Sequence, residues 1–294
     1  MDGSHILGLL LLCGSAFAED NVLVTAERLG GKTLGTLVKD ADLVDTLSGE
    51  GPFTVFAPVD KAFKALPQSV LDKLSGDKEL LKQVLTYHVV SGNVTSGQLK
   101  NDMVVDTVEG MSKLRVNIYG SKVTVNGASV ILADQFATNG VVHMINEVLY
   151  PLPTQSLLDY AAATPSFSQL VYIVSMADLI DFFKGGPFTL FAPTDAAFDK
   201  LPPGLINELL QNKTALVNVL EYHVILGTVY SAGLSNNQRV KAANEQELTV
   251  KIEGANVIIN DAKVTTADVT VTNGVIHVID TVLLPPSLSA RYKR

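Results

Sequence analysis

Residues 51–67, GPFTVFAPVDKAFKALP, return at residues 186–202 as GPFTLFAPTDAAFDKLP, with 12 of the 17 positions identical. The same offset of 135 carries Tyr87-His88-Val89-Val90-Ser91-Gly92 onto Tyr222-His223-Val224-Ile225-Leu226-Gly227. One residue is then lost, and Thr138-Asn139-Gly140-Val141-Val142-His143 maps onto Thr272-Asn273-Gly274-Val275-Ile276-His277 at an offset of 134. The chain is a tandem duplication. A period this long is a domain, because solenoid units of roughly 20–50 residues cannot each bury a core alone. The length of 294 residues also fits about two domains.

Three spaced blocks in one order, found twice, resemble the fasciclin (FAS1) domain: the Phe-Thr-hydrophobic-Phe-Ala-Pro run with its following Asp and Ala-Phe, the Tyr-His pair, and the Thr-Asn-Gly-Val-hydrophobic-His close. The resemblance covers nearly the whole chain beyond its first residues. It implies two tandem α+β domains, each a β wedge or sandwich of about seven strands decorated with several short helices. The expected division is a signal peptide at 1–18, a first domain at 19–152, a second at 153–286 and a basic tail at 287–294.

The residue pattern points the same way. Between Asn21 and Leu47 apolar residues fall at helical spacings broken by Gly30 and Gly31, which predicts short helices. Phe53-Thr54-Val55-Phe56 is β-prone and ends at Pro58, and Asp60 is expected to cap the helix carrying Ala62, Phe63 and Leu66. In the second copy Thr194 or Asp195 could take that place. A helix is expected over 78–86, with the chain turning β from Tyr87 to Val90. Strands are expected at 114–118, 122–125, 130–133 and 141–149. Helices first and strands later indicate α+β rather than alternating βαβ units. Tyr150-Pro151-Leu152-Pro153-Thr154 is a stiff linker that restricts how the domains can be oriented.

An apolar run from Ile6 to Cys13 followed by Gly14-Ser15-Ala16-Phe17-Ala18 has the Ala-x-Ala close of a secretory leader, although Lys and Arg are missing ahead of it. It is too short to span a bilayer. Cleavage after Ala18 would remove the single cysteine, so no disulfide is expected. The acceptor tripeptides Asn93-Val94-Thr95 and Asn212-Lys213-Thr214 agree with a secretory route. A net charge of −8 argues against nucleic acid as a partner, since phosphate binding draws on clustered Lys and Arg. The end of the chain has no hydrophobic tail of the glycolipid-anchor kind.

His88, His143, His223 and His277 are two copies of one pair. With Asp60 or Asp195 they could form a metal site or an acid–base pair. Their apolar surroundings instead predict neutral core imidazoles held by hydrogen bonds. Signatures of a nucleophile elbow, zinc helix, phosphate loop or dinucleotide turn are missing. No catalytic, metal or cofactor residues are therefore assigned. Thr138-Asn139-Gly140 and its copy read as tight turns with positive φ.

The resemblance implies a secreted, non-enzymatic adhesion or matrix-interaction protein whose partner is a matrix protein or a cell-surface receptor, integrins included, with homophilic association also open. The sequence contains no Arg-Gly-Asp. Fasciclin-type determinants fall by motif on Tyr87, His88 and Asp134 in the first copy and on Tyr222, His223, Asp268 and Val269 in the second. Asp134 is followed by Gln135 rather than an aliphatic residue, so the second copy is the expected contact. The alternative is a carrier of a small ligand or glycan in a groove on or between the domains, decided by whether a large apolar pocket exists.

Overall fold

The computed structural model describes residues 20–292. Helix Val22–Arg28 begins where Asn21 Oδ1 accepts the Val24 N–H at 3.0 Å, satisfying one of the amides that a helix start leaves free. The Gly30-Gly31 break leads into helix Lys32–Asp40, and Val44–Ser48 follows. Of the expected caps, Thr194 takes the N-cap place in the second copy, though its side chain makes no cap hydrogen bond, whereas Asp60 does not cap its own helix. Asp60 is the first residue inside its own helix, Asp60–Lys64, and its carboxylate accepts the Thr33 N–H at 2.7 Å. Asp195 likewise binds Gln169 N at 2.9 Å and Ser168 Oγ at 2.6 Å. Each Asp caps a helix that is distant in sequence, and a local pattern cannot reveal that.

The first domain contains β1 (Phe53–Pro58), β2 (Val89–Ser91), β3 (Met103–Asp106), β4 (Lys113–Tyr119), β5 (Lys122–Val125), β6 (Ala128–Ala137) and β7 (Gly140–Ile145). They form one nearly closed sheet in the order β2-β1-β7-β6-β5-β4-β3, with β1 and β7 parallel and every other pair antiparallel. The second domain repeats this with β8 (Phe188–Pro193), β9 (Val224–Leu226), β10 (Arg239–Lys241), β11 (Glu247–Glu253), β12 (Asn256–Ile259), β13 (Ala262–Val271) and β14 (Gly274–Ile279). The central parallel pair is buried on both faces. Val55, Ala57, Val142 and Met144 pack under the helices, while Phe56 and Ile145 enter the wedge with Leu114, Val116 and Val125. Strand β7 stops at Ile145, short of the expected 149, and Val148 and Leu149 remain buried as coil.

The repeated Thr-Asn-Gly makes the expected tight turn, between β6 and β7 and between β13 and β14, but positive φ occurs in the first copy alone, at Gly140 with φ +156°. Neither Asn139 nor Asn273 is left-handed. A Cβ on Gly140 would lie 1.9 Å from Phe53 O, and one on Gly274 2.1 Å from Phe188 O, so the close parallel strand excludes any side chain. The Asn is a staple. Asn139 Nδ2 donates to Leu47 O and Gly49 O, both at 2.9 Å, while its Oδ1 accepts Val22 N–H at 2.9 Å. Asn273 makes the same three bonds to Phe183, Gly185 and Leu157. Asn273→Ala is expected to destabilise the second domain by roughly 2 kcal/mol in urea denaturation, since two partly buried backbone groups and one exposed one lose their partner.

The expected basic tail is, over its described part, helix Pro286–Tyr292. Leu288 packs on the second core, and Arg291 pairs with Glu208 at 2.8 Å. The expected leader, with His5 and Cys13, and the terminal Lys293 and Arg294 lie outside the described residues. Among the described residues no helix is long and apolar enough to cross a membrane.

Candidate functional site

The duplicated motif residues converge on one loop in each domain, the segment that follows β2 or β9. Thr189 Oγ1 donates to Gly227 O and accepts Val229 N–H, both at 2.8 Å. His277 Nε2 lies 2.8 Å from Val229 O, and its Nδ1 accepts the Asp268 N–H at 3.2 Å. Asp268 Oδ1 accepts Ser231 N–H at 2.7 Å, and its other oxygen takes the Ser231 hydroxyl. Thr54, His143, Asp134 and Ser96 repeat the arrangement in the first domain.

Asp134 and Asp268 reach these loops because β6 and β13 bulge. The register of each strand against its neighbour shifts on either side of Leu132 and Thr266. Asp134 and Asp268 take φ of 56° and 62°, a conformation that Asp tolerates better than most residues. Strand β6 therefore runs over Ala128–Ala137 rather than the expected 130–133, and β13 over Ala262–Val271.

Serine, histidine and aspartate are thus neighbours, but the arrangement cannot perform acyl transfer. Catalysis requires a histidine that can take the serine proton. Here Ser231 gives its proton to Asp268, and both ring nitrogens of His277 are engaged by backbone. Nδ1 accepts from an amide, so the proton sits on Nε2 and points at Val229 O. The ring stacks on Phe191 at 5.6 Å, and burial holds its pKa below the ordinary histidine value. Among the described residues no group of three or more His, Cys, Asp or Glu is placed to hold a metal.

The Tyr-His pairs lie inside. Tyr87 and Tyr222 close their helices, and the following His88 and His223 are the caps. Tyr222 is 1% exposed, with its hydroxyl donating to Glu247 O and accepting from Asn260 Nδ2, both at 3.0 Å. Tyr87 binds Lys113 O and Asn126 in the same way. His223 Nδ1–H donates to Val219 O at 2.8 Å, and Nε2 accepts Leu283 N–H at 2.9 Å; His88 does so with Val84 and Leu149. This is the opposite tautomer to His277. Burial pushes both rings down to about 4. Tyr87, His88 and His223 present no surface to a partner, and Tyr222 shows only the edge of its ring to an open groove that Glu247 and Asn260 also line.

Asp268 and Val269 are only half-buried, and they line a cleft of about 390 Å³ between the domains. Glu147, Tyr150 and Pro151 form the first-domain wall, with Tyr160 alongside. Glu147 is held above the ordinary carboxylate value, first by the surrounding protein and then by the charge of Asp268. The cleft therefore combines two carboxylates with aromatic rings, a chemistry that favours a cationic side chain.

The domains meet beside this cleft through residues that the motifs do not mark. Asn117, 0% exposed in the middle of β4, donates through Nδ2 to Thr228 Oγ1 at 2.8 Å and Thr228 O at 3.2 Å, and to Asp102 Oδ1 at 3.1 Å. The Thr228 hydroxyl donates to Asp102, which also faces Arg115 at 3.7 Å. Tyr119 OH accepts Tyr230 N–H at 2.9 Å, and Lys122 Nζ donates to Ala232 O at 2.9 Å. Burial pushes the Tyr119 phenol up to about 12. Gly127, at φ +88°, lies so close to Tyr230 that a Cβ would sit 2.6 Å from Cδ1.

The contact is head-to-tail, with the motif-held loop of the second domain seated on the sheet tip of the first. The sequence signal for it is divergence between the copies. Asn117, Tyr119, Lys122 and Gly127 correspond to Lys251, Glu253, Asn256 and Asp261, so only the first tip fits a partner loop.

Enclosed apolar space is minimal. The cavities inside the two helical cores measure about 20 and 10 Å³, room for about one water and far below the roughly 300–1,000 Å³ of a ligand pocket. The larger grooves are open and mixed in polarity, which disfavours the carrier reading.

Comparison with known proteins agrees with this architecture. A fasciclin domain model matches residues 30–151 and again 165–285, so the chain belongs to the fasciclin domain family. It is 30% identical to periostin of Homo sapiens over 279 residues, covering 94% of this chain and 33% of that protein. It is 32% identical to transforming growth factor-beta-induced protein ig-h3 of Oryctolagus cuniculus over 280 residues, covering 94% and 41%. Stabilin-2 of Mus musculus is 26% identical over 267 residues, covering 82% and 10%. The chain thus spans 33–41% of the length of the first of these curated relatives. A solved FAS1 domain pair from the insect cell adhesion molecule Fasciclin I is 23% identical, covers 89% of this chain and 99% of that one, and superposes with a TM-score of 0.43.

Proposed function

We propose that this chain works outside the cell as a non-enzymatic adhesion or matrix-interaction protein, and that its partner enters the cleft between the domains beside Asp268 and Val269. The class of function rests on the family, since the similarity to periostin, ig-h3 and stabilin-2 supports an adhesion-type role. The location rests on one observation: of the residues expected to carry adhesion in the second copy, Asp268 and Val269 are the half-exposed ones, and the surface they line is shared by both domains. The partner is a matrix protein or a cell-surface receptor, integrin type included, that presents a Lys or Arg to the Glu147 and Asp268 carboxylates. Tyr87, His88, Tyr222 and His223 contribute by holding the domains in shape. Asp134 has the same local geometry as Asp268 but lacks the facing domain.

Ala267 is exposed at the cleft wall, so Ala267→Arg adds bulk and positive charge without disturbing a core. Cell attachment to surfaces coated with this variant is expected to fall at least about tenfold with the melting temperature unchanged, a loss of about 1.4 kcal/mol or more in binding. Attachment equal to that of the unmodified protein would remove the cleft from the account.

A further inference from the structure

The loop that docks the second domain onto the first has a counterpart that docks onto no other domain among the described residues. Thr228-Val229-Tyr230 corresponds to Asn93-Val94-Thr95, held in the same way by Thr54, His143 and Asp134. The exposed Asn93 therefore occupies the position of the buried Thr228. The fold does not explain Asn93, because its carboxamide makes no hydrogen bond among the described residues. Asn212 is different. Its Oδ1 caps helix Lys213–Tyr222 by accepting Ala215 N–H at 3.1 Å, the task Asp77 performs in the first domain.

Beside Asn93 the surface is apolar where the second domain is polar. Phe136, which shares a groove with Asn93, is 59% exposed and corresponds to Thr270. Asn93 and Phe136 line one open groove of about 700 Å³ with Glu50, Pro52 and Thr138. An exposed aromatic face next to an acceptor asparagine fits the apolar C–H face of a sugar ring, and an attached glycan keeps such a patch from associating.

We propose that Asn93 carries an N-linked glycan whose innermost sugars lie over Phe136, so that carbohydrate covers on the first domain the surface that a neighbouring domain covers on the second. The donor is an oligosaccharyl lipid diphosphate. The Asn93 Nδ2 forms a bond to the sugar C1, the C1–O bond to diphosphate breaks, the lipid diphosphate leaves with the electron pair, and one amide proton is released. The proposal rests on the extracellular reading, because this donor belongs to the secretory route.

The full chain is produced in animal cells behind a host secretory leader and its peptides are mapped by mass. The Asn93 peptide is expected to be glycosylated. Asn93→Gln is expected to raise binding of an environment-sensitive apolar dye severalfold, and Phe136→Ser in that background to return it to the starting level. A bare Asn93 in the exported protein, or dye binding unchanged by Asn93→Gln, would overturn the proposal. In a second arm the chain's own first 18 residues replace the host leader. Retention in the cell there would count against the extracellular reading and leave the Asn93 result of the first arm standing.

Discussion

Replacing His223 by alanine is expected to lower the melting temperature of the second domain by on the order of 10 °C at pH 7. The imidazole joins the end of helix Lys213–Tyr222 to the segment that leaves the sheet, through Val219 O and Leu283 N–H. Its removal orphans both groups at about 1–3 kcal/mol each and opens a cavity, and losses of that size move Tm by several degrees per kcal/mol. His88→Ala should do the same in the first domain. The effect has a pH signature. Both rings are depressed to about 4 from about 6.5 in the unfolded chain, so between those values the unfolded state binds a proton that the folded state does not. Stability is then fully present above pH 6.5 and falls as the pH drops toward 4, by roughly 3 kcal/mol per ring. Calorimetry from pH 7.5 to 4 should show this slope, reduced in each variant. A slope unaffected by removing both rings would show that these histidines are not what couples folding to pH.

Gly127→Leu is expected to separate the domains without unfolding either. The new side chain would have to occupy the space of the Tyr230 ring from a backbone at φ +88°, where non-glycine residues are strained. Overpacking of a fitted contact costs about 1–3 kcal/mol. The interface rests on a few polar contacts around Asn117, Asp102 and Thr228, each worth about 0.5–1.5 kcal/mol net, so the docked state should give way before either core does. Two melting transitions that stay near their original temperatures, with loss of cell attachment, are the expected readout. Retention of full attachment would place the adhesive surface away from the cleft.

What the sequence made legible follows from where duplication preserves identity. Phe-Thr-hydrophobic-Phe, Tyr-His and Asn-Gly-Val-hydrophobic-His recur because both copies must build the same parallel β1/β7 or β8/β14 pair and the same loop. The two α+β domains and the buried histidines were therefore readable. The partners of those residues were not. Asp60 binds Thr33 and Asn139 binds Val22, contacts set by topology rather than by neighbouring letters. The interface was hidden for the opposite reason, since Asn117, Tyr119 and Gly127 lie where the copies differ and no motif marks them. Gly140 is a turn glycine at φ +156°, but the adjacent strand excludes a side chain there and at Gly274 as well, which the letters do not show. Pro151 and Pro153 suggest a stiff linker, but the contacts between the domains lie outside it.

The central claim is that the two domains form one docked unit through the loop after β9. Because Cys13 is the single cysteine, a chain lacking the first 18 residues with Lys64→Cys and Lys251→Cys accepts two spin labels at exposed sites, one per domain. Pulsed dipolar spectroscopy should then give a single narrow distance distribution that broadens in the Gly127→Leu background. A distribution already broad in the parent protein, and unchanged by Gly127→Leu, would contradict the docked unit and the shared cleft that depends on it.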